Sequence, residues 1–101
     1  MDLLAIDVPQ NKIEDFCRRN HIKKLSFFGS VLTDSFRPDS DVDILVEFEP
    51  GHTPGLGLIR MQDELSMILD GRKVDLVTPK FLNHRIRKQV EAQARIQYAQ
   101  G

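Results

Sequence analysis

Residues 27–48 read FFGSVLTDSFRPDSDVDILVEF, and the order of residue types within this stretch decides the fold. Two phenylalanines close a β-prone run that begins at Lys23, Gly29 stops it, and residues 30–36 are too few for more than two helical turns. After Pro38, Asp39, Asp41 and Asp43 occupy alternate positions and lead into the apolar run Ile44–Val46. The pattern predicts strand, tight turn, short helix, loop and second strand. In an extended chain residues two apart point to the same side, so Asp41 and Asp43 aim two carboxylates at one place about 7 Å apart. Carboxylates held that close repel each other, and the arrangement predicts a cation between them.

Outward from this stretch the elements alternate. Asp7 and Gln10 stand three apart as a capping box, with Pro9 in a tolerated first-turn position. Ile13, Phe16 and Cys17 follow at helical spacing, which predicts a helix over about 8–20. Residues 40–48 form a second strand, and EPGHTPG at 49–55 is a loop by its Pro and Gly content. Leu58, Met61, Leu65 and Ile68 recur at three and four, giving an amphipathic helix that ends at Asp70-Gly71. RKVDLVT at 72–78 is a third strand closed by Pro79. Leu82, Ile86 and Val90 then lie four apart on a further helix with a predicted core-facing stripe, and ARIQYAQ at 94–100 alternates like a last edge strand. The expected fold is α/β in the broad sense that includes α+β: a small mixed sheet with helices packed on it.

At 101 residues, 41% hydrophobic and 29% charged, the chain is expected to form one domain over 1–101. A net charge of −1 gives no global field that would draw nucleic acid or membrane, and direct nucleic-acid binding is left open. The distribution is uneven. Residues 80–101 carry Lys80, Arg85, Arg87, Lys88 and Arg95 against Glu91, a balance of +4 that leaves −5 on the rest. Single Cys17 excludes an intrachain disulfide and reads as a buried small hydrophobe. The opening MDLLAIDVP lacks the basic start and apolar length of a signal peptide, no run approaches a membrane span, and a cytoplasmic location follows.

Other motifs built on close carboxylates or glycine loops fail at identifiable positions. A calcium-binding EF-hand loop starting at Asp39 needs glycine at its sixth position and glutamate at its twelfth, where Ile44 and Pro50 stand. No Gly-Lys-Ser/Thr tripeptide provides a Walker loop, and GLGLIR at 55–60 lacks the third dinucleotide-fold glycine. What remains is Gly29-Ser30, ten residues, Asp41-Val42-Asp43, and a later strand aspartate, Asp75.

This constellation resembles the minimal nucleotidyltransferases, a small branch of the DNA polymerase β-like superfamily. The matching positions are Phe28, Gly29, Ser30, Asp41, Asp43 and Asp75, and the likeness extends over nearly the whole chain. It implies a nucleotidyltransferase core whose Asp41, Asp43 and Asp75 are catalytic and hold Mg²⁺, with ATP as substrate. It further implies pairing with a HEPN-domain ribonuclease toxin, which similar antitoxins inactivate by transferring AMP to a tyrosine. The residue chemistry is compatible. Carboxylates plus triphosphate oxygens suit Mg²⁺, and Gly29 admits the backbone close to a phosphate. If Ser30 opens a helix, its amide, hydroxyl and helix dipole all face an anion. Asp75 would orient or deprotonate the acceptor hydroxyl.

Each residue also has a plainer reading: a capped turn at Gly29-Ser30, loop aspartates at 39 and 41, an outward strand position at 75. Asp39 lies outside the matched pair and is expected to cap the turn begun by Pro38. Relatives often carry an arginine just after Gly-Ser. Here Val31, Leu32, Thr33 and Asp34 follow, and Arg37 is the candidate replacement for meeting phosphate. His21, His52 and His84 show no metal-ligand spacing and are expected on the surface; Tyr98 is expected to pack. Two further functions stay open: a non-catalytic antitoxin that neutralises by binding, and transfer to a small molecule or an RNA end.

Overall fold

The computed structural model describes residues 6–52 and 54–100; the opening pentapeptide of the predicted non-signal N-terminus lies outside them. Helix α1 spans Gln10–Arg19, and its Ile13, Phe16 and Cys17 are fully buried while the intervening residues face solvent or half-face it. The predicted capping box is not formed. Pro9 is the N-cap and its carbonyl accepts from Lys12 and Ile13, which puts Gln10 one position into the helix instead of three. The Gln10 amide donates instead to Glu14 Oε2 (3.1 Å) and to the Gln97 carbonyl (2.9 Å), tying α1 to the far strand. Arg18 and Arg19 fill the last turn, where cations oppose the negative end of the helix dipole.

Strand β1 (Ile22–Phe28) is followed by a single 3₁₀ turn over Gly29–Leu32, and β2 covers Val42–Phe48. Helix α2 (Gly57–Ile68) presents Leu65 to the core with Leu58, Met61 and Ile68 half-buried beside it, as its periodicity predicts. It stops where Asp70 and Gly71 both take positive φ, and the Gly71 amide closes back on the Ser66 carbonyl at 2.8 Å. Strand β3 is Val74–Val77, α3 is His84–Gln93 and β4 is Arg95–Ala99.

The strands assemble in the order β3-β2-β1-β4. β1 is antiparallel to both β2 and β4, and β2 is parallel to β3, so the sheet is mixed and β4 is an edge as the alternation predicts. Residues in register share a face. Phe27 with Ile44, and Leu25 with Val46 and Tyr98, belong to the face against which α1 and α2 bury the core. The opposite face carries Phe28, Asp43 and Asp75 at one end, Ser26 and Leu45 in the middle, and the Lys24–Glu47 ion pair (3.6 Å) beyond them.

Helix α3 departs from its predicted packing. It contributes no buried residue, Leu82 falls before its first turn, and Ile86 is 46% exposed. Asn83 rather than burial fixes its start, accepting from the Ile86 amide at 2.9 Å. The spacing of Leu82, Ile86 and Val90 is real, but the described core cluster draws its α-helical residues from α1 and α2, and Leu82 and Val90 stay half-buried outside it. Of the basic residues of the C-terminal segment, Arg95 lies on β4, while Arg85 and Lys88 are exposed on α3 and Arg87, half-exposed, lies 3.9 Å from Glu91. Among the described residues no helix is long and apolar enough to cross a membrane.

Candidate active site

The central strand β2 begins one residue after Asp41, and its second residue is Asp43. Asp43 stands in register with Asp75 on parallel β3 and with Phe28 on antiparallel β1. Parallel registration puts Asp43 and Asp75 side by side on the face that α1 and α2 leave uncovered, and Asp41, two residues before Asp43, aims to that side. Burial raises the Asp43 carboxyl above the ordinary aspartate range, and the charges of Asp75 and Asp41 push it further the same way. Asp43 therefore senses both of the other carboxylates, and an added cation would relieve what that proximity costs. A donor set made only of carboxylate oxygens suits a hard ion such as Mg²⁺.

Gly29 presses against this cluster. Its φ of +78° is open to glycine and strained for other residues, and a Cβ built there would collide with Oδ2 of Asp43 and stand 3.2 Å from its Cγ. The backbone thus passes the carboxylate with no room for a side chain. Ser30 follows at once, half-exposed, but it opens only the four-residue 3₁₀ turn. So short a turn sums few peptide dipoles, which reduces the helix-dipole contribution expected at Ser30. The turn is locked by Thr33, whose amide and hydroxyl both donate to the Ser30 carbonyl at 2.9 Å. Val31 is buried in the core and Leu32 packs beside it, so these positions have hydrophobic work in this chain.

The loop that returns to Asp41 is held at two points. Ser40, rather than Asp39, closes the turn after Pro38: its amide donates to the Arg37 carbonyl (2.9 Å) and its hydroxyl accepts from the Arg37 amide (3.0 Å). Phe36 packs on the core margin with the Arg72 guanidinium 5.4 Å from its ring centre, linking the loop to the approach of β3. Arg37 is exposed in the same loop and has no ion pair among the described residues. At the other side of the cluster, Gln62 of α2 accepts from the Leu76 amide at 3.0 Å, satisfying an edge-strand donor next to Asp75. Ser40, Phe36, Arg72 and Gln62 were not singled out from sequence. Only Phe36, one aromatic in a polar loop, carries a signal there.

A family model described as a nucleotidyltransferase domain matches residues 10–96, which include Gly29, Ser30 and all three aspartates. The chain belongs to the nucleotidyltransferase family. This nucleotidyltransferase is 39% identical over 70 residues to protein adenylyltransferase MntA of Thermococcus cleftensis, covering 68% of each chain. It is 36% identical over 75 residues to a candidate protein adenylyltransferase of Methanocaldococcus jannaschii, covering 74% of this chain and 78% of that one. Among solved structures it is similar to a candidate minimal nucleotidyltransferase, with a TM-score of 0.71 at 36% identity over 84% and 85% of the two chains. It is also similar to the Shewanella oneidensis complex of a tri-AMPylated HEPN toxin with its MNT antitoxin, with a TM-score of 0.66 at 25% identity over 90% and 70%.

Proposed function

We propose that this nucleotidyltransferase, residues 1–101 acting as one domain, is an antitoxin that transfers AMP from ATP to a tyrosine of a HEPN-domain ribonuclease. The observation that carries the reading is the pairing of Asp43 with Asp75 across β2 and β3, against a glycine backbone that passes the Asp43 carboxylate too closely for any side chain. The relatives named as protein adenylyltransferases and the AMPylated toxin complex support AMP as the transferred group and a HEPN toxin as its acceptor, while the tyrosine is the reading's own step.

In this reading Asp41, Asp43 and Asp75 hold Mg²⁺, which when bound neutralises charge on the transferring phosphate and favours the ionised acceptor oxygen. Asp75, exposed on β3 beside Asp43, orients the tyrosine hydroxyl and accepts its proton. The tyrosine oxygen bonds to the α-phosphorus as the bond to the pyrophosphate oxygen breaks, and pyrophosphate leaves. Gly29 admits the triphosphate beside the backbone, and Ser30 donates its amide or hydroxyl to a phosphate oxygen. Arg37, on the loop that ends at Asp41, supplies a cation to the same phosphates. Dependence on cellular ATP fits the expected cytoplasmic location.

The test is incubation of the untagged protein with α-labelled ATP, Mg²⁺ and a purified HEPN-domain toxin. Label should appear on a toxin tyrosine and its ribonuclease activity should fall in step. Neutralisation without label would favour a binding antitoxin, and label on RNA or on a small molecule would favour the other branch of the family chemistry.

A further inference from the structure

His21 precedes Glu49 and His52 by about thirty residues, but the fold gathers the three at the end of the sheet opposite the aspartates. His21 occupies the turn between α1 and β1, while Glu49 and His52 follow β2. Pairing of Ile22 with Phe48 brings the two segments side by side. The imidazoles of His21 and His52 stack with centroids 3.9 Å apart and planes at 15°. His21 Nδ1 lies 3.9 Å from Glu49 Oε2, and one ligand atom from each of the three residues falls within 4.8 Å of the others. Their backbones are cross-linked as well: the Glu49 amide donates to the His21 carbonyl (2.9 Å) and the His52 amide to the Glu49 carbonyl (3.0 Å). Gln100, anchored through its own amide to the Lys23 carbonyl at 3.0 Å, donates its side chain to Glu49 Oε2 at 2.8 Å. That is the kind of outer contact that orients a ligating carboxylate.

We infer that His21, Glu49 and His52 form a second cation site, selective for a transition-metal ion such as Zn²⁺, that clips the β2–α2 loop to the turn before β1. Two imidazoles and one carboxylate are a zinc ligand set, whereas Mg²⁺ and Ca²⁺ prefer oxygen alone. A tetrahedral ion with bonds of about 2.1 Å needs ligand atoms about 3.4 Å apart, so small side-chain rotations that open the ring stack complete the set and leave the fourth position to water. The site is independent of the aspartates. Glu49 lies six positions beyond Asp43, just past the end of β2, a distance of about 20 Å at strand rise. The two sites also divide the metals by chemistry, hard oxygen donors at one end of the sheet and nitrogen donors at the other.

The experiment is titration of untagged protein with Zn²⁺ alone and with Co²⁺ as the absorbing probe, on wild type, His52→Ala, His21→Asn, Gln100→Ala and the Asp43→Asn/Asp75→Asn double variant. Asparagine at 21 tolerates the positive φ of 56° that His21 adopts. Wild type should bind one Zn²⁺ per chain, give the intense visible bands of low-symmetry Co²⁺, and unfold at a higher temperature with Zn²⁺ present. His52→Ala and His21→Asn should each weaken Zn²⁺ binding at least about tenfold and Gln100→Ala by about tenfold, on the scale of outer-contact losses. The double aspartate variant should bind Zn²⁺ like wild type. No uptake by wild type, unchanged affinity in folded His52→Ala, or loss of Zn²⁺ in the aspartate variant would each overturn the site.

Discussion

Replacing Gly29 with alanine separates the proposed site from an ordinary strand-to-turn connection, because the structure assigns the substitution two distinct penalties. The first is conformational: at φ +78° an alanine costs about 1–2 kcal/mol. The second is steric and specific, since the new methyl meets Asp43 Oδ2 and must drive the carboxylate or the turn aside. Overpacking of this kind costs about 1–3 kcal/mol, so Gly29→Ala should lose about 2–5 kcal/mol in total. Gly71 is the internal control. It has φ +81° with nothing within 4 Å of its would-be Cβ, so Gly71→Ala should show the first penalty alone. In an Asp43→Ala background the clash disappears, and Gly29→Ala should fall to the Gly71→Ala level, a coupling of about 1–3 kcal/mol in the double-mutant cycle. Urea unfolding measures the stabilities, and initial rates of AMP transfer measure function. A carboxylate misplaced by about 1 Å should slow transfer by about 10²-fold, while Gly71→Ala transfers at close to the wild-type rate. Additive stabilities in the cycle, or transfer by Gly29→Ala within twofold of the control, would refute the close approach of Gly29 to Asp43.

Asp43→Asn should reduce transfer by orders of magnitude yet raise stability at neutral pH. The carboxyl is raised in the folded state, so ionising it there weakens the fold as pH climbs from the unfolded value through the folded one. The gain from asparagine should therefore vanish in acid, and it should shrink when Mg²⁺ is present; urea melts across a pH series check this. Ser30→Ala should weaken nucleotide binding by about 1–3 kcal/mol in calorimetry, and equal affinity would make Ser30 a turn residue only. Cys17, fully buried with its thiol pushed up to about 12 by that burial, should resist alkylation at pH 8 until urea unfolds the chain, and rapid native labelling would contradict the packing of α1. Reversing Arg85 and Lys88 to Glu should slow association with a HEPN partner in a salt-dependent way while leaving ATP binding intact, and matched kinetics across a salt series would make α3 a solvated face.

Sequence by itself determined the elements and the chemistry they carry. Period-2 and period-3.6 patterns located β1, β2, β3, α2 and the edge strand β4; strand geometry paired Asp41 with Asp43, and the resemblance to the minimal nucleotidyltransferases marked Gly29 and both aspartates as candidate site residues. The structure had to decide everything that depends on two segments meeting. Parallel register sets Asp75 beside Asp43, and no local pattern specifies register across the connection of residues 49–73. Pro9 displaced the predicted capping box by taking the N-cap position, which turned Gln10 toward Gln97 on a strand nearly ninety residues away. The stripe on α3 looked core-facing because periodicity reports an apolar side without saying whether anything remains to cover it; the described core draws its α-helical residues from α1 and α2. His21 and His52 showed no ligand spacing in the chain. The antiparallel pairing of β1 with β2 stacks them, since a strand pair carries residues at its two outer ends into contact whatever their separation in sequence.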